Sequence, residues 1–396
     1  MYFMYIPVPV LRAHLTQHRS LHFSNQIYML EKQKAPLSAG LFSIRGYLMS
    51  LDLSDTLVIG ITSTALFDLT ESDKIFRENF AKDRETAITE YRKYTLANEN
   101  NPLEDGTGMQ LVKALLDLNK YQKKDESLLV EVVVMSRNSP ETGLRVLRNI
   151  RDRGLAISRH AFTGGESVTR YLEAFDVDLF LTTSSKDAQR VIDAGNCATA
   201  IVKAPPSDMA AIPEGQVRIA FDGDAVLFDD SSEVVFNAQG LEGFHSNEDE
   251  NQDIPMPDGP HAAFLKKLSR LQQRLPFGEA FSPVRIAIVT ARNAPAEMRV
   301  IKTLRHWGVY VNEIFFLGGV EKGKILKAFR AHIFFDDQEK HLETAAKYVP
   351  SGRVPYKSDS LLVFRRRKNT RTGEQQKKSL KNTLLRYKRG FSKIFL

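Results

Sequence analysis

Two stretches in the middle of this 396-residue chain repeat one another, and the repeat limits the fold more than any other feature. In the first copy the β-type run Leu57-Val58-Ile59-Gly60-Ile61 leads into Thr62-Ser63-Thr64-Ala65. In the second, Val217-Arg218-Ile219-Ala220-Phe221 leads into Asp222-Gly223-Asp224-Ala225. Equal steps then reach an aromatic, Phe76 or Phe236, and Gly106 with Val112-Lys113-Ala114-Leu115 matches Gly259 with Leu265-Lys266-Lys267-Leu268. Val132–Met135 running into Ser136-Arg137-Asn138-Ser139-Pro140 matches Ile286–Thr290 running into Ala291-Arg292-Asn293-Ala294-Pro295. Amphipathic helices are expected after both, over Glu141–Arg153 and Ala296–Trp307. Phe162-Thr163-Gly164-Gly165 then matches Phe316-Leu317-Gly318-Gly319, and Leu179–Thr183 matches Ile333–Asp337. Short apolar strands alternating with helices of about 10–15 residues read as parallel βαβ units. The expected class is α/β, as two tandem doubly wound units.

The repeat divides the chain into an N-terminal extension (1–50), a first unit (51–205), a second unit (213–357) and a tail (358–396). Charge follows these divisions: the net +7 splits into +4 over residues 1–50, −9 over 51–350 and +12 over 351–396. A basic balance confined to the ends argues against a nucleic-acid partner for the core. The tail opens with Arg365-Arg366-Arg367-Lys368 and reads either as an arm for anionic surfaces or as a solvated appendage. Residues 1–50 have no clear period and no signal-peptide cleavage site. Met49 stands just before the first strand, so this segment reads as a non-native extension or an alternative upstream start. The single cysteine, Cys197, excludes an intramolecular disulfide framework and cysteine-based zinc sites, and suits a reducing, cytoplasmic setting. No apolar run has the length a bilayer span needs. Oligomeric state, a homo-oligomer included, stays open.

The copies differ in charge. Thr62, Thr64, Thr182 and Thr183 in the first stand where the second has Asp222, Asp224, Asp336 and Asp337, and Val168 stands where the second has Lys322. Each position follows a predicted strand end, where ligands bind in open α/β sheets. The first copy therefore reads as a degenerate version of the second. Alone, Asp-Gly-Asp after a strand is an ordinary turn. Adjacent carboxylates such as Asp336-Asp337 repel and call for a cation, or for a helix N-terminus beside them. If both acidic pairs end neighbouring strands, their oxygens converge as a hard site suited to Mg²⁺. Thr290 can donate to a phosphate oxygen or cap the next helix. Lys322, ahead of a helix expected over Ile325–Ala331, can balance phosphate and acids together. Residues 237–283 are longer than a tight connection needs. Gly240–Pro260 reads as acidic and turn-rich and Ala262–Gln273 as a helix, so a small cap-like insertion or a plain surface excursion is expected. Gly223, Arg292 and Asn293, with Arg137 and Asn138 in the first copy, are candidates for sugar or base contact, or else stabilise the turns and helix starts beside them.

The order Asp-x-Asp, Thr, Lys, Asp-Asp resembles the haloacid-dehalogenase-like phosphohydrolases. More narrowly, Phe221-Asp222-Gly223-Asp224-Ala225-Val226-Leu227-Phe228, Gly319-Val320-Glu321-Lys322-Gly323 and His332-Ile333-Phe334-Phe335-Asp336-Asp337-Gln338 resemble the type I cytosolic 5′-nucleotidase family. In the first copy, Ser63–Phe67, Leu96–Pro102 and Phe162–Gly165 resemble it too, so the likeness covers roughly residues 55–357. It implies Mg²⁺-dependent hydrolysis of a nucleoside 5′-monophosphate, AMP first, through an aspartyl-phosphate. Asp222 would then be nucleophile and metal ligand, and Asp224 general acid/base with its backbone carbonyl on the metal. Asp336 or Asp337 would be a further ligand, and Thr290 and Lys322 would hold the phosphate oxygens. Three rivals remain. Another small phosphomonoester is one substrate alternative, and a nucleotide-binding sensor without turnover is the second. The third is a phosphate-loop triphosphatase, from Gly318–Lys324, although Ile325 stands where that loop needs Ser or Thr.

Overall fold

A computed structural model describes residues 52–363. The expectations for residues 1–50 and for the tail from 364 onward lie outside the described residues. The first half runs β1 (Leu57–Ile61), α1 (Ser63–Leu66), α2 (Thr70–Phe80), α3 (Arg84–Ala97), α4 (Met109–Asp117), β2 (Val130–Ser136), α5 (Leu144–Asp152), β3 (Arg159–Phe162), β4 (Leu179–Thr182), α6 (Ser185–Ala194) and β5 (Ala198–Val202). The second runs β6 (Val217–Phe221), a wide turn over Gly223–Leu227, α7 (Ser231–Glu250), α8 (Ala262–Arg274), α9 (Gly278–Phe281), β7 (Val284–Thr290) and α10 (Glu297–His306). It ends with β8 (Glu313–Phe316), α11 (Gly323–Phe329), β9 (Ile333–Asp336), α12 (Glu339–Ala345) and β10 (Ser351–Arg353).

All ten strands form one sheet, in the order β3-β2-β1-β4-β5-β10-β9-β6-β7-β8. Neighbours are parallel except β5 and β10, which pair antiparallel through Gly352 with Val202 and Arg353 with Ile201. The α/β class with a mostly parallel sheet is as expected; the two halves, however, are joined edge to edge in a single sheet. That one antiparallel join has a geometric consequence. The carboxyl ends of β1, β2 and β4 lie on one rim of the sheet, and those of β6, β7 and β9 lie on the opposite rim.

The strands read as unbroken apolar runs because both faces of the sheet are covered. Alternate residues serve each face: Leu57, Ile59, Ile61, Ile219 and Phe221 enter a core that continues across both halves. Val58, Val133 and Phe180 point the other way, into a cluster of the first half. Ala220, Ala287 and Phe334 do the same in the second half, under Leu326 of α11 and Leu342 of α12. Each half also makes a helical excursion, α2 and α3 after β1, or α7 after β6, closed by an antiparallel bridge of Phe67 with Asp105 or Phe228 with Asp258. The repeated glycines have their reason here. A Cβ on Gly106 would lie 2.7 Å from the carbonyl oxygen of Ala65, and one on Gly259 would lie 2.3 Å from that of Phe228.

The helices expected over Ala296–Trp307 and Ala262–Gln273 are present within a residue at each end. The turn-rich reading of Gly240–Pro260 holds for residues 251–260 and needs correction before them: beyond the kink at Gly240 (φ 75°, ψ −170°) α7 runs on to Glu250. The positive-φ glycine ends one helical segment and a second starts directly after it, so α7 is two segments joined at a kink, which its acidic, glycine-containing sequence concealed.

Candidate functional site

At the strand-order reversal of the second half, β6 lies between β7 and β9, the position where open α/β sheets hold ligands. Asp222 follows β6, and its backbone N–H donates to the Phe335 carbonyl at 2.8 Å, which fixes it beside the end of β9. Its Oδ1 accepts from the Gly223 N–H at 2.7 Å. Its Oδ2 meets Lys322 Nζ at 2.8 Å, and the same ammonium reaches Asp336 Oδ2 at 2.7 Å. All three residues are buried. Two charged carboxylates in one dry site are tolerable only with a compensating cation, and Lys322 supplies one positive charge between them. Burial pushes the Asp222 carboxyl up to about 7 against the pull of Lys322. Burial also works against Lys322, but Asp222 and Asp336 outweigh it and hold the ammonium above its ordinary value. For Asp336, burial is overcome by Lys322 and by His341, whose Nδ1 lies 3.1 Å from Oδ2, and the carboxyl is held low.

Asp337 faces a different environment. The Tyr356 hydroxyl donates to Oδ2 and also lies 3.2 Å from Glu233 Oε2 on α7. Oδ1 is buried with no hydrogen-bond partner. Burial, with Asp336, Asp222 and Glu233 nearby, drives this carboxyl well above the ordinary range. A buried oxygen without a donor, beside two more carboxylates, fits a hard divalent cation. Among the described residues, Asp222, Asp336 and His341 bring ligand atoms within 4.8 Å of one another.

Asp224 and Thr290 border the same place. After Asp222 the chain makes a wide turn, with Ala225 left-handed at φ 58° and the Phe228 N–H donating to the Gly223 carbonyl at 3.0 Å. Gly223 is packed so closely that an added Cβ would lie 3.3 Å from Thr290 Oγ1. That hydroxyl, at the end of β7, accepts from the Arg292 N–H at 3.2 Å. Both Asp224 oxygens accept from Arg292, at 2.8 and 2.6 Å. Arg292 also donates to Glu248 Oε2 at 2.5 Å and lies over the Phe244 ring. Its side chain is 2% exposed. Of the two roles open to Arg292, contact with sugar or base and support of the local turns, these bonds give it the supporting one, as a buried clamp between the turn and α7. Asn293 bonds His245 at 3.0 Å.

Arg137 and Asn138 are a clearer departure. They follow β2, on the rim opposite Asp222 and six inter-strand steps from β6, on the order of 29 Å at the usual spacing. Arg137 is paired with Asp187, and Asn138 accepts from the Tyr91 hydroxyl at 3.0 Å. The antiparallel join removes them from the second-half site. In the phosphate-loop alternative Lys324 would hold the phosphates; it is exposed, and Lys322 is the buried lysine. Glu248, His341 and Tyr356 were not foreseen. None follows a strand of the repeat directly, and no local pattern marks them.

A family model described as 5′-nucleotidase matches residues 49–360, a span that holds every residue of this site. The chain belongs to the 5′-nucleotidase family. It is 36% identical over 299 residues to human cytosolic 5′-nucleotidase 1B, covering 74% of this chain and 48% of that protein. This 5′-nucleotidase family member thus spans about half the length of the curated relative it matches. No solved structure matches the chain significantly. Among the described residues no helix is long and apolar enough to cross a membrane.

Proposed function

We propose that the chain hydrolyses nucleoside 5′-monophosphates, AMP first, to nucleoside and phosphate with Mg²⁺ at the second-half rim. The observation that carries this reading is the Asp222–Lys322–Asp336 clasp, 2.8 and 2.7 Å across the ammonium, beside the orphaned Asp337 oxygen. Asp222, Asp336 and Asp337 would hold the ion together with the Asp224 carbonyl. When bound, Mg²⁺ screens the anionic nucleophile from the anionic phosphate. The chain's own groups do the rest. An Asp222 oxygen attacks phosphorus; the P–O bond to the 5′-oxygen breaks; that oxygen takes a proton from Asp224. Water then opens the aspartyl-phosphate, giving its proton back to Asp224 and releasing phosphate. For this, Asp224 must exchange one Arg292 contact for the leaving oxygen. Burial, opposed by Lys322, leaves Asp222 near 7, and a bound cation would hold it ionised at neutral pH.

In this reading the second half is a haloacid-dehalogenase-like catalytic unit and the first its degenerate counterpart, with α7 a small cap. The protein acts in the cytoplasm on a small-molecule nucleotide, without nucleic acid at its core; a homo-oligomer and a surface-seeking tail belong to the same proposal. The test is phosphate release from a panel of nucleoside and sugar monophosphates, with Mg²⁺ or with chelator. Nucleoside 5′-monophosphates turned over only with the metal support the reading. Preferred turnover of sugar phosphates, or release undiminished by chelator, rejects it.

A further inference from the structure

A cavity of about 710 Å³ opens on the opposite rim, at the carboxyl ends of β1, β2 and β4. It is the first half's counterpart of the Asp222 site, and its chemistry is inverted. Hydroxyls replace the carboxylates: Thr62 Oγ1 lies 3.2 Å from Thr64 Oγ1, which lies 2.6 Å from Thr183 Oγ1. Val168 stands in the lysine position and also lines the cavity. Nothing in this cluster can attack phosphorus as a carboxylate or hold a hard divalent ion. The charged lining residues are four arginines against two aspartates. Arg137 pairs with the buried Asp187, and Arg77 reaches Asp73 only at 3.6 Å. Arg84 is exposed and has no ion-pair partner among the described residues.

The roof is aromatic. Phe80 is 54% exposed. Phe76 stacks on it at 5.7 Å and meets Tyr91 edge-on at 6.0 Å, and all three rings line the cavity. An exposed ring facing a basic, hydroxyl-rich floor suits a ligand with one planar end and one anionic end. The acidic rim needs a cation before it can accept a phosphate; this rim does not.

We propose that the first-half cavity is a metal-independent binding site for an organic phosphate bearing a planar ring system, held without hydrolysis. The phosphate sits on the Thr62, Thr64 and Thr183 hydroxyls within the field of Arg137 and Arg84, and the ring packs on Phe80 and Tyr91. This goes beyond the catalytic reading and does not depend on it.

The experiment is calorimetric titration of AMP into the full chain in chelator, with adenosine and inorganic phosphate as separate probes. One AMP bound per chain is expected, more tightly than either fragment. Thr64→Asp sets a carboxylate among the hydroxyls, and Phe80→Ala removes the ring; each is expected to weaken AMP by at least about tenfold. Unchanged near-ultraviolet circular dichroism shows that both variants are folded, and Phe80, being exposed, keeps the test available if Thr64→Asp unfolds. No AMP binding in chelator, or binding undiminished in folded Thr64→Asp and Phe80→Ala, overturns the proposal. Loss of turnover in Mg²⁺ with chelator binding intact would count against the catalytic reading alone.

Discussion

The turn after β1 and the turn after β6 start from the same repeat, and one residue separates them. From Thr62 the chain reaches its bridging Phe67 through a regular helical turn, closed by the Phe67 N–H on the Ser63 carbonyl at 2.9 Å. From Asp222 it takes one residue more to reach Phe228, through a wide turn with a left-handed Ala225. The wide turn carries Asp224 to Arg292, whereas the tighter one leaves Thr64 among hydroxyls. A backbone held in that sparsely populated conformation is the kind of strain that functional sites retain. The comparison teaches that the halves share a scaffold and differ in how each rim handles charge. The acidic rim buries carboxylates around one ammonium; the other exposes arginines over threonines.

The largest expected difference is catalytic. Asp222→Asn should lower phosphate release by on the order of 10⁴-fold while the chain stays folded, and Thr62→Asn at the equivalent position should change it less than about twofold. Steady-state assays on both variants check this, and comparable losses would erase the distinction between the rims. Next come the paired arginines. Arg292→Ala removes both donors of the partly buried Asp224 and one of the two guanidinium partners of the buried Glu248, which keeps Arg299 at 3.1 Å, and should cost about 3 kcal/mol. Arg137→Ala takes a side chain that is 43% exposed away from the buried Asp187, which keeps the Ser167 hydroxyl at 3.1 Å, and should cost about 1–2 kcal/mol. Denaturant unfolding of the two variants measures the gap.

The pH response sharpens the same contrast. Burial raises Asp222 to about 7 and raises Asp337 as well, so the folded chain binds protons that the unfolded chain has released above the ordinary 3.8. Stability of the metal-free chain should therefore fall as pH rises from about 4 to about 7. Asp336, held low, works the other way: its contribution is present above the ordinary value and lost only in stronger acid. Melting temperatures with and without Mg²⁺ test this, the ion being expected to flatten the slope. A metal-free melting temperature that climbs over that window contradicts the assignment. The smallest effect is Thr64→Val, which removes hydroxyl contacts at 3.2 and 2.6 Å and should cost about 0.5–1.5 kcal/mol in the same unfolding assay.

Much of this organisation was legible before any coordinates. Short apolar runs alternating with helices marked the buried strands, and the charge differences between copies singled out Asp222, Asp336 and Lys322, which do converge. The join between halves was not legible, because β10 has three residues and pairs antiparallel through two of them. No periodicity announces so short a strand. That one pairing decides that Arg137 and Asn138 face the wrong rim. Arg292 stayed open between a substrate contact and local support because its partner Glu248 lies 44 residues away, on a helix that Gly240 obscured. Tyr356 likewise follows the last strand, and only the folded sheet brings it to Asp337.

The central claim, that the acidic rim alone is built for a divalent cation, is tested most directly by titrating Mg²⁺ calorimetrically into the full chain at neutral pH. One ion per chain is predicted, with binding abolished in Asp336→Asn and unchanged in Thr183→Val. Absence of binding, or binding that persists in Asp336→Asn, would contradict the account.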